Sequence, residues 1–171
     1  MLKKSFMASN RISQLPWLWL SALVVAVDQF TKTYISYWLD TASVMHVFPC
    51  LNFILTYNAG AAFSFLGWAD GWQRWLFVAI SLGVSFYLVC LLHRGGLSKS
   101  SSCVALALII GGAIGNLYDR LTLGYVVDFI DFFIGHWHFA TFNVADAAVS
   151  IGAVMWIFVN YNKKSDETFN K

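Results

Sequence analysis

Two aspartates stand where a charge is costly. Asp128 lies in VVDFIDFF (residues 126–133), among six apolar residues and three positions before Asp131, and Asp146 lies in FNVADAAVSIGAV. Carboxylates brought close together cannot both ionise cheaply, so they share a proton and titrate as a pair. The ionised member can then deprotonate a water while the protonated member donates to a carbonyl oxygen, which is acid–base hydrolysis by two aspartates. Spacing alone does not choose between Asp128 and Asp131. If the segment is helical they roughly share a face, and if it is extended they face opposite ways. The expectation is that Asp128 pairs with Asp146 and that Asp131 faces water at the surface.

Each candidate has a plainer reading beside it. Asn143 and Asp146 have the spacing of a helix N-cap and its third-position acid, near the positive end of a helix dipole. Asn116, Asp119 and Arg120 close an apolar run in GNLYDR, and Asn116 and Asp119 share a helix face; Arg120 there is suited to reaching lipid headgroups. Asp28 and Lys32, four apart, read as a structural ion pair within a helix. His136 and His138 form HWH, with no third ligand at a metal-site spacing, so no metal is expected; Trp137 between them suits an interfacial anchor. Neither GxSxG nor HExxH occurs. The three cysteines are odd in number and lack CxxC spacing, so neither a disulfide framework nor a zinc site is expected.

The elements that must position these groups are membrane helices. The chain has 171 residues, 58% of them hydrophobic and 12% charged, with eight Trp and fifteen Phe; a soluble domain carries about 25% charged residues. A net charge of +2 is too small to argue for nucleic acid. Four apolar segments, roughly 15–34, 75–92, 100–118 and 144–161, each approach the ~20 residues that cross a bilayer. No small-x-small cleavage pattern follows the first, which is read as an uncleaved span. Connections 35–74 and 119–143 are long. In the first, Val47, Phe48, Phe53, Ile54 and Tyr57 favour strand, punctuated by Pro49 and Gly60, so a small extramembrane sheet is expected, able to grip an extended chain. Eight of the eleven Lys and Arg lie in the two tails and in the loop holding Arg94 and Lys99, which places both termini in the cytoplasm and both long connections outside. Gly111 with Gly115, and Ala148 with Gly152, offer small faces by which the third and fourth spans can approach.

Membrane acids also occur in small proton-coupled transporters, the alternative reading. A transporter expects its acid near the midplane, whereas the acids here cluster at one edge. The longer motifs decide the matter. DQFTK (28–32), YNAGAAFSF (57–65), GGAIGNLYDRLTLGYVVDFIDF (111–132) and FNVADAAVSIG (142–152) resemble, in order and spacing, the signature segments of bacterial lipoprotein signal peptidase (signal peptidase II, prolipoprotein signal peptidase). The resemblance implies a four-helix inner-membrane aspartic endopeptidase with an extracytoplasmic β-cradle and a short amphipathic surface helix, in one domain over residues 1–171. It implies removal of the signal peptide from diacylglyceryl-modified prolipoproteins, just before the lipidated lipobox Cys, without a cofactor. It makes Asp128 and Asp146 catalytic, places Asn58, Asn116, Asp119, Arg120 and Asn143 at supporting polar positions, and leaves Asp28 and Lys32 structural. It further implies membrane lipid as surroundings and inhibition by cyclic peptide antibiotics such as globomycin.

Overall fold

A computed structural model describes residues 12–60, 71–97 and 99–169, with side chains as far as Tyr161. After a 3-10 turn at Leu15–Trp17 come helix α1 (Leu18–Trp38), strands β1 (Val44–Phe48) and β2 (Leu51–Asn58), helices α2 (Trp72–Arg94) and α3 (Ser100–Thr122), strands β3 (Val126–Ile134) and β4 (Trp137–His138), and helix α4 (Val144–Phe169). Four helices appear where the hydropathy puts them, and β1 and β2 where the β-branched and aromatic residues of connection 35–74 do; β3 and β4 add half of the sheet from connection 119–143. Three helices, Trp72–Arg94, Ser100–Thr122 and the Val144–Tyr161 part of α4, are long and apolar enough to span a bilayer. Helix α1, at 21 residues, reaches about 30 Å. Its Asp28 and Lys32 lower its hydropathy but do not meet lipid, being 0% and 3% exposed. The outward faces of the helices carry Trp19, Leu23, Phe30, Trp75, Phe86, Ile157 and Phe158, all exposed. Such a belt is stable only against hydrocarbon.

Helix α3 is the axis of the bundle, and α1, α2 and α4 each pack on it. Glycine sets the spacing, though not as the sequence pairing suggests. A Cβ on Gly111 would meet Ser21 and Val24 of α1, and one on Gly115 would meet the Asp28 carboxylate. The Gly111–Gly115 face therefore serves chiefly α1. The close approach to α4 is at Gly112, whose missing Cβ leaves room for the Ala145 carbonyl oxygen and the Val149 side chain; on α4, Gly152 lies against the Ala105 carbonyl. Gly112→Ala is expected to lower stability by about 1–3 kcal/mol, the usual cost of overpacking, although alanine is the better helix former by about 1 kcal/mol. Gly83→Ala, where a Cβ would touch nothing within 4 Å, should be neutral or stabilising. Unfolding of both variants in detergent checks this.

The sheet is antiparallel in the order β1-β2-β3-β4, and it lies at the end of the bundle where α1 and α3 finish. Leu55, Val127 and Phe129 pack with Ile35 of α1 and Leu39 just beyond its end to form its core. Gly124, at φ 92°, makes the turn from α3 into β3 in a left-handed conformation that suits glycine. The aromatic segment after β3 carries β4 and a bridge from Phe142 to Ile130. The elements of the described residues do not include a short amphipathic surface helix.

One feature of β3 overturns the expectation for Asp131. The strand is extended throughout, so Asp128 and Asp131 should face opposite ways. However, the amides of Phe129 and Ile130 both donate to the Phe142 carbonyl oxygen, at 3.1 and 2.8 Å, which is the signature of a β-bulge. Phe129 and Ile130 then both face the same apolar cluster, and the two aspartates both turn away from it. Asp131 does not face water: it is 3% exposed, accepts a hydrogen bond from Asn52 Nδ2 at 2.9 Å, and pairs with His138 Nδ1 at 2.8 Å.

Candidate active site

Asp128 is carried by β3, opposite Thr56 of β2, and Asp146 by the first turn of α4. Asn143 joins them. Its Oδ1 accepts from the Asp146 amide at 2.9 Å, and Asp146 Oδ2 accepts from the Asn143 amide at 3.3 Å. The helix cap expected from the sequence is therefore present. It does not compete with a chemical role, because the same Asn143 donates through Nδ2 to Asp128 Oδ1 at 2.6 Å. Asp128 Oδ2 accepts from Asn58 Nδ2 at 2.9 Å, and Asp146 Oδ1 from Asn116 Nδ2 at 2.7 Å. Two carboxylates thus share one rim of amide donors, with an oxygen of each fixed by a side chain from a different element.

The ion pair expected on α1 is larger than two residues. Lys32 Nζ lies 2.7 Å from Asp28 and 2.9 Å from Asp119, and donates to Asn116 Oδ1 at 3.0 Å. Its three protons therefore meet three acceptors. Each carboxylate also holds a backbone that carries one of the two site aspartates. Asp28 Oδ1 accepts from the Ala145 amide at 2.9 Å, at the start of α4, and Asp119 Oδ2 from the Val127 amide at 3.2 Å, beside Asp128. Gln29 Nε2 bonds Asp119 Oδ1 at 2.8 Å and Asp28 Oδ2 at 3.2 Å. Arg120 Nη2 donates to the Gly60 carbonyl at 3.0 Å, fixing the turn in which the Gly60 amide donates to Asn58 Oδ1. Arg120 is 9% exposed, so it braces the protein here and does not reach outward to headgroups. All nine predicted site residues therefore fall in one connected network. Residues 61–65 of the YNAGAAFSF motif lie outside the described residues.

Sequence reasoning missed Gln29 and Asn52. Gln29 was within sight: it sits in DQFTK, three positions before Lys32 and so on its helix face. Asn52 gave no signal beyond a polar residue in an apolar strand. His138 Nδ1 pairs with Asp131, and no cluster of three His, Cys, Asp or Glu side chains placed to hold a metal occurs among the described residues.

A cleft of about 760 Å³ opens beside the two carboxylates, lined by Asp128, Asp146, Asn58, Asn116 and Arg120 at its polar end and by Ile80 and Val84 of α2, Ile109 and Ala113 of α3, and Val149 and Ile151 of α4 elsewhere. Burial pushes the Asp128 carboxyl up to about 6; the amides of Asn58 and Asn143 oppose the rise and the neighbouring charge of Asp146 adds to it. Between the ordinary value of 3.8 and 6, folded Asp128 keeps a proton that the unfolded chain has lost. Stability from this group therefore falls as pH rises through that window, by at most about 3 kcal/mol. Asp128→Asn should flatten this descent. Unfolding of both proteins in detergent at pH 4, 5, 6 and 7 measures it.

This membrane bundle has known counterparts. The model of the family Signal peptidase (SPase) II matches residues 20–161. The lipoprotein signal peptidase of Coxiella burnetii (strain Dugway 5J108-111) is 51% identical over 142 residues, covering 83% of this chain and 87% of that one. The lipoprotein signal peptidase of Pseudomonas putida is 48% identical over 165 residues, covering 94% and 95%. Among solved structures, a bacterial membrane enzyme determined by the in meso method superposes with a TM-score of 0.79 at 30% identity, over 88% of this chain and 90% of that one. With the family model spanning most of its length and relatives near half identity, the chain belongs to the signal peptidase II family of membrane aspartic peptidases, which process bacterial lipoproteins.

Proposed function

We propose that Asp128 and Asp146 are the catalytic pair of this signal peptidase, and that they hydrolyse the peptide bond just before the diacylglyceryl-modified Cys of a prolipoprotein. The observation that carries this is the joint fixing of both carboxylates through Asn143, at the polar end of an otherwise apolar cleft. Burial raises the pKa of Asp128, so in this reading Asp128 holds the shared proton and Asp146 activates the water. Asp146 takes a proton from the attacking water, and Asp128 gives its proton to the carbonyl oxygen. As the tetrahedral intermediate collapses, the pair returns a proton to the leaving amine of the lipidated Cys. Asn58, Asn116 and Asn143 hold the carboxylates, and Asp28, Lys32 and Asp119 hold the elements that carry them.

Positive-inside orientation puts the termini and the Arg94–Lys99 loop in the cytoplasm, and the sheet and the carboxylate pair at the outer edge of the inner membrane. A signal peptide that spans the bilayer presents its C-terminal end there. The apolar cleft between α2 and α4 suits the acyl chains, and equally a cyclic peptide antibiotic of the globomycin kind. A diacylglyceryl-modified precursor and its unmodified form, each incubated with purified protein, test the substrate assignment. The modified form is expected to be cut at the Cys and the unmodified form to survive; equal cutting of both would sink the assignment.

A further inference from the structure

A second cavity, of about 480 Å³, lies on the sheet side of Asp128 and is lined by Thr56, Asn58, Asp128, Trp137, His138 and the segment Phe139–Thr141. Asp128 and Asn58 border both cavities. A chain whose cleaved bond sits at Asp128, with its apolar side in the membrane cleft, must leave in the other direction, and this polar cavity is the space available.

His138 is the ionisable side chain of that outer wall, half exposed but anchored on its Nδ1 side. Its Nδ1 lies 2.8 and 3.0 Å from the two oxygens of buried Asp131, and its ring stacks on Phe133 with centroids 5.2 Å apart. Asp131 is itself held by Asn52 Nδ2 at 2.9 Å, and Asn52 Oδ1 by His46 Nδ1 at 2.8 Å. A carboxylate accepts only, so His138 carries its proton on Nδ1. That fixes the ring and leaves Nε2 for the cavity. The His46–Asn52–Asp131 chain thus crosses three strands to orient one imidazole beside Asp128. The peptidase reading gives it no task.

We propose that the outer cavity receives the first residues of the mature chain, beyond the lipidated Cys, as extended polypeptide. His138 Nε2 hydrogen-bonds their backbone, and Asp131 is the positioning residue that aims the ring. This inference rests on the peptidase reading above and adds a specificity-determining residue to it.

The test compares two diacylglyceryl-modified substrates, one with several residues after the Cys and one ending at the Cys as its amide. For His138→Ala, the kcat/KM of the long substrate relative to the short one is expected to fall about tenfold, the worth of one good hydrogen bond, with the loss in KM. Asp131→Asn should give a smaller fall, and the double variant no more than His138→Ala alone. His138→Gln, which keeps a polar atom, should recover part of the ratio and guards against a folding defect. His136→Ala, in the adjoining turn, should keep the wild-type ratio. An unchanged ratio in folded His138→Ala, whether both substrates slow equally or neither does, overturns the proposal. A wild type that cuts neither lipidated substrate overturns the peptidase reading itself, a result distinct from any change in ratio.

Discussion

Asp128→Asn and Asp146→Asn are each expected to lower kcat for a diacylglyceryl-modified precursor by at least about 10³-fold, and the double variant to be little worse than either. The reasoning is that of a unit. General acid–base catalysis by a positioned group supplies roughly 10²–10⁴ in rate, and members of one proton-sharing pair are lost together, so their effects do not add. Asparagine keeps the shape and one acceptor, but it can neither take a proton from water nor give one to the carbonyl oxygen. The amide rim remains, since Asn143 still caps α4 through its Oδ1. Both variants should therefore fold, and thermal unfolding in detergent is the control. Steady-state rates that multiply in the double variant would mean two independent sites of action in place of one pair.

The second large effect is on stability. Lys32→Met removes the only cation found within 4 Å of buried Asp28 and Asp119 among the described residues. Two carboxylates then face each other in a dry interior, and breaking a buried pair from one side costs about 3–5 kcal/mol. The damage does not stay local. Asp28 holds the Ala145 amide and Asp119 the Val127 amide, so the same loss loosens both backbones that carry the site aspartates. Activity should fall with stability, although Lys32 touches neither Asp128 nor Asp146 by a hydrogen bond. Adding Asp119→Asn to Lys32→Met should restore part of the stability, because it removes one stranded charge. A Lys32→Met protein that unfolds in denaturant like the wild type would show that the triad is not structural.

The helices were legible because hydropathy reports burial in lipid directly, and β1 and β2 because their β-branched and aromatic residues fill a pleated surface. The plain readings of Asn143–Asp146 as a cap and of Asp28–Lys32 as an ion pair were right locally and too small. Each is one end of a hydrogen-bond network whose other end lies on a different element, and sequence spacing carries no record of that. Asp131 failed for a sharper reason. Its direction depends on a bulge created by the Phe142 carbonyl twelve residues after Ile130, and a one-residue bulge reverses the parity of every side chain beyond it. Gly112 was passed over for a similar cause: the GxxxG pattern marks a close approach but not the partner helix, and here the pair at 111 and 115 chiefly meets α1 while the neighbour meets α4.

The central claim is that Asp128 and Asp146 act in the chemical step and not in holding substrate. Single-turnover experiments with excess purified Asp128→Asn or Asp146→Asn and a diacylglyceryl-modified precursor test it most directly, with bound and cleaved precursor measured in the same sample. The expected result is binding within a few-fold of the wild type with the precursor left intact. Cleavage at the wild-type rate by either folded variant, or loss of binding in proportion to the loss of rate, would contradict it.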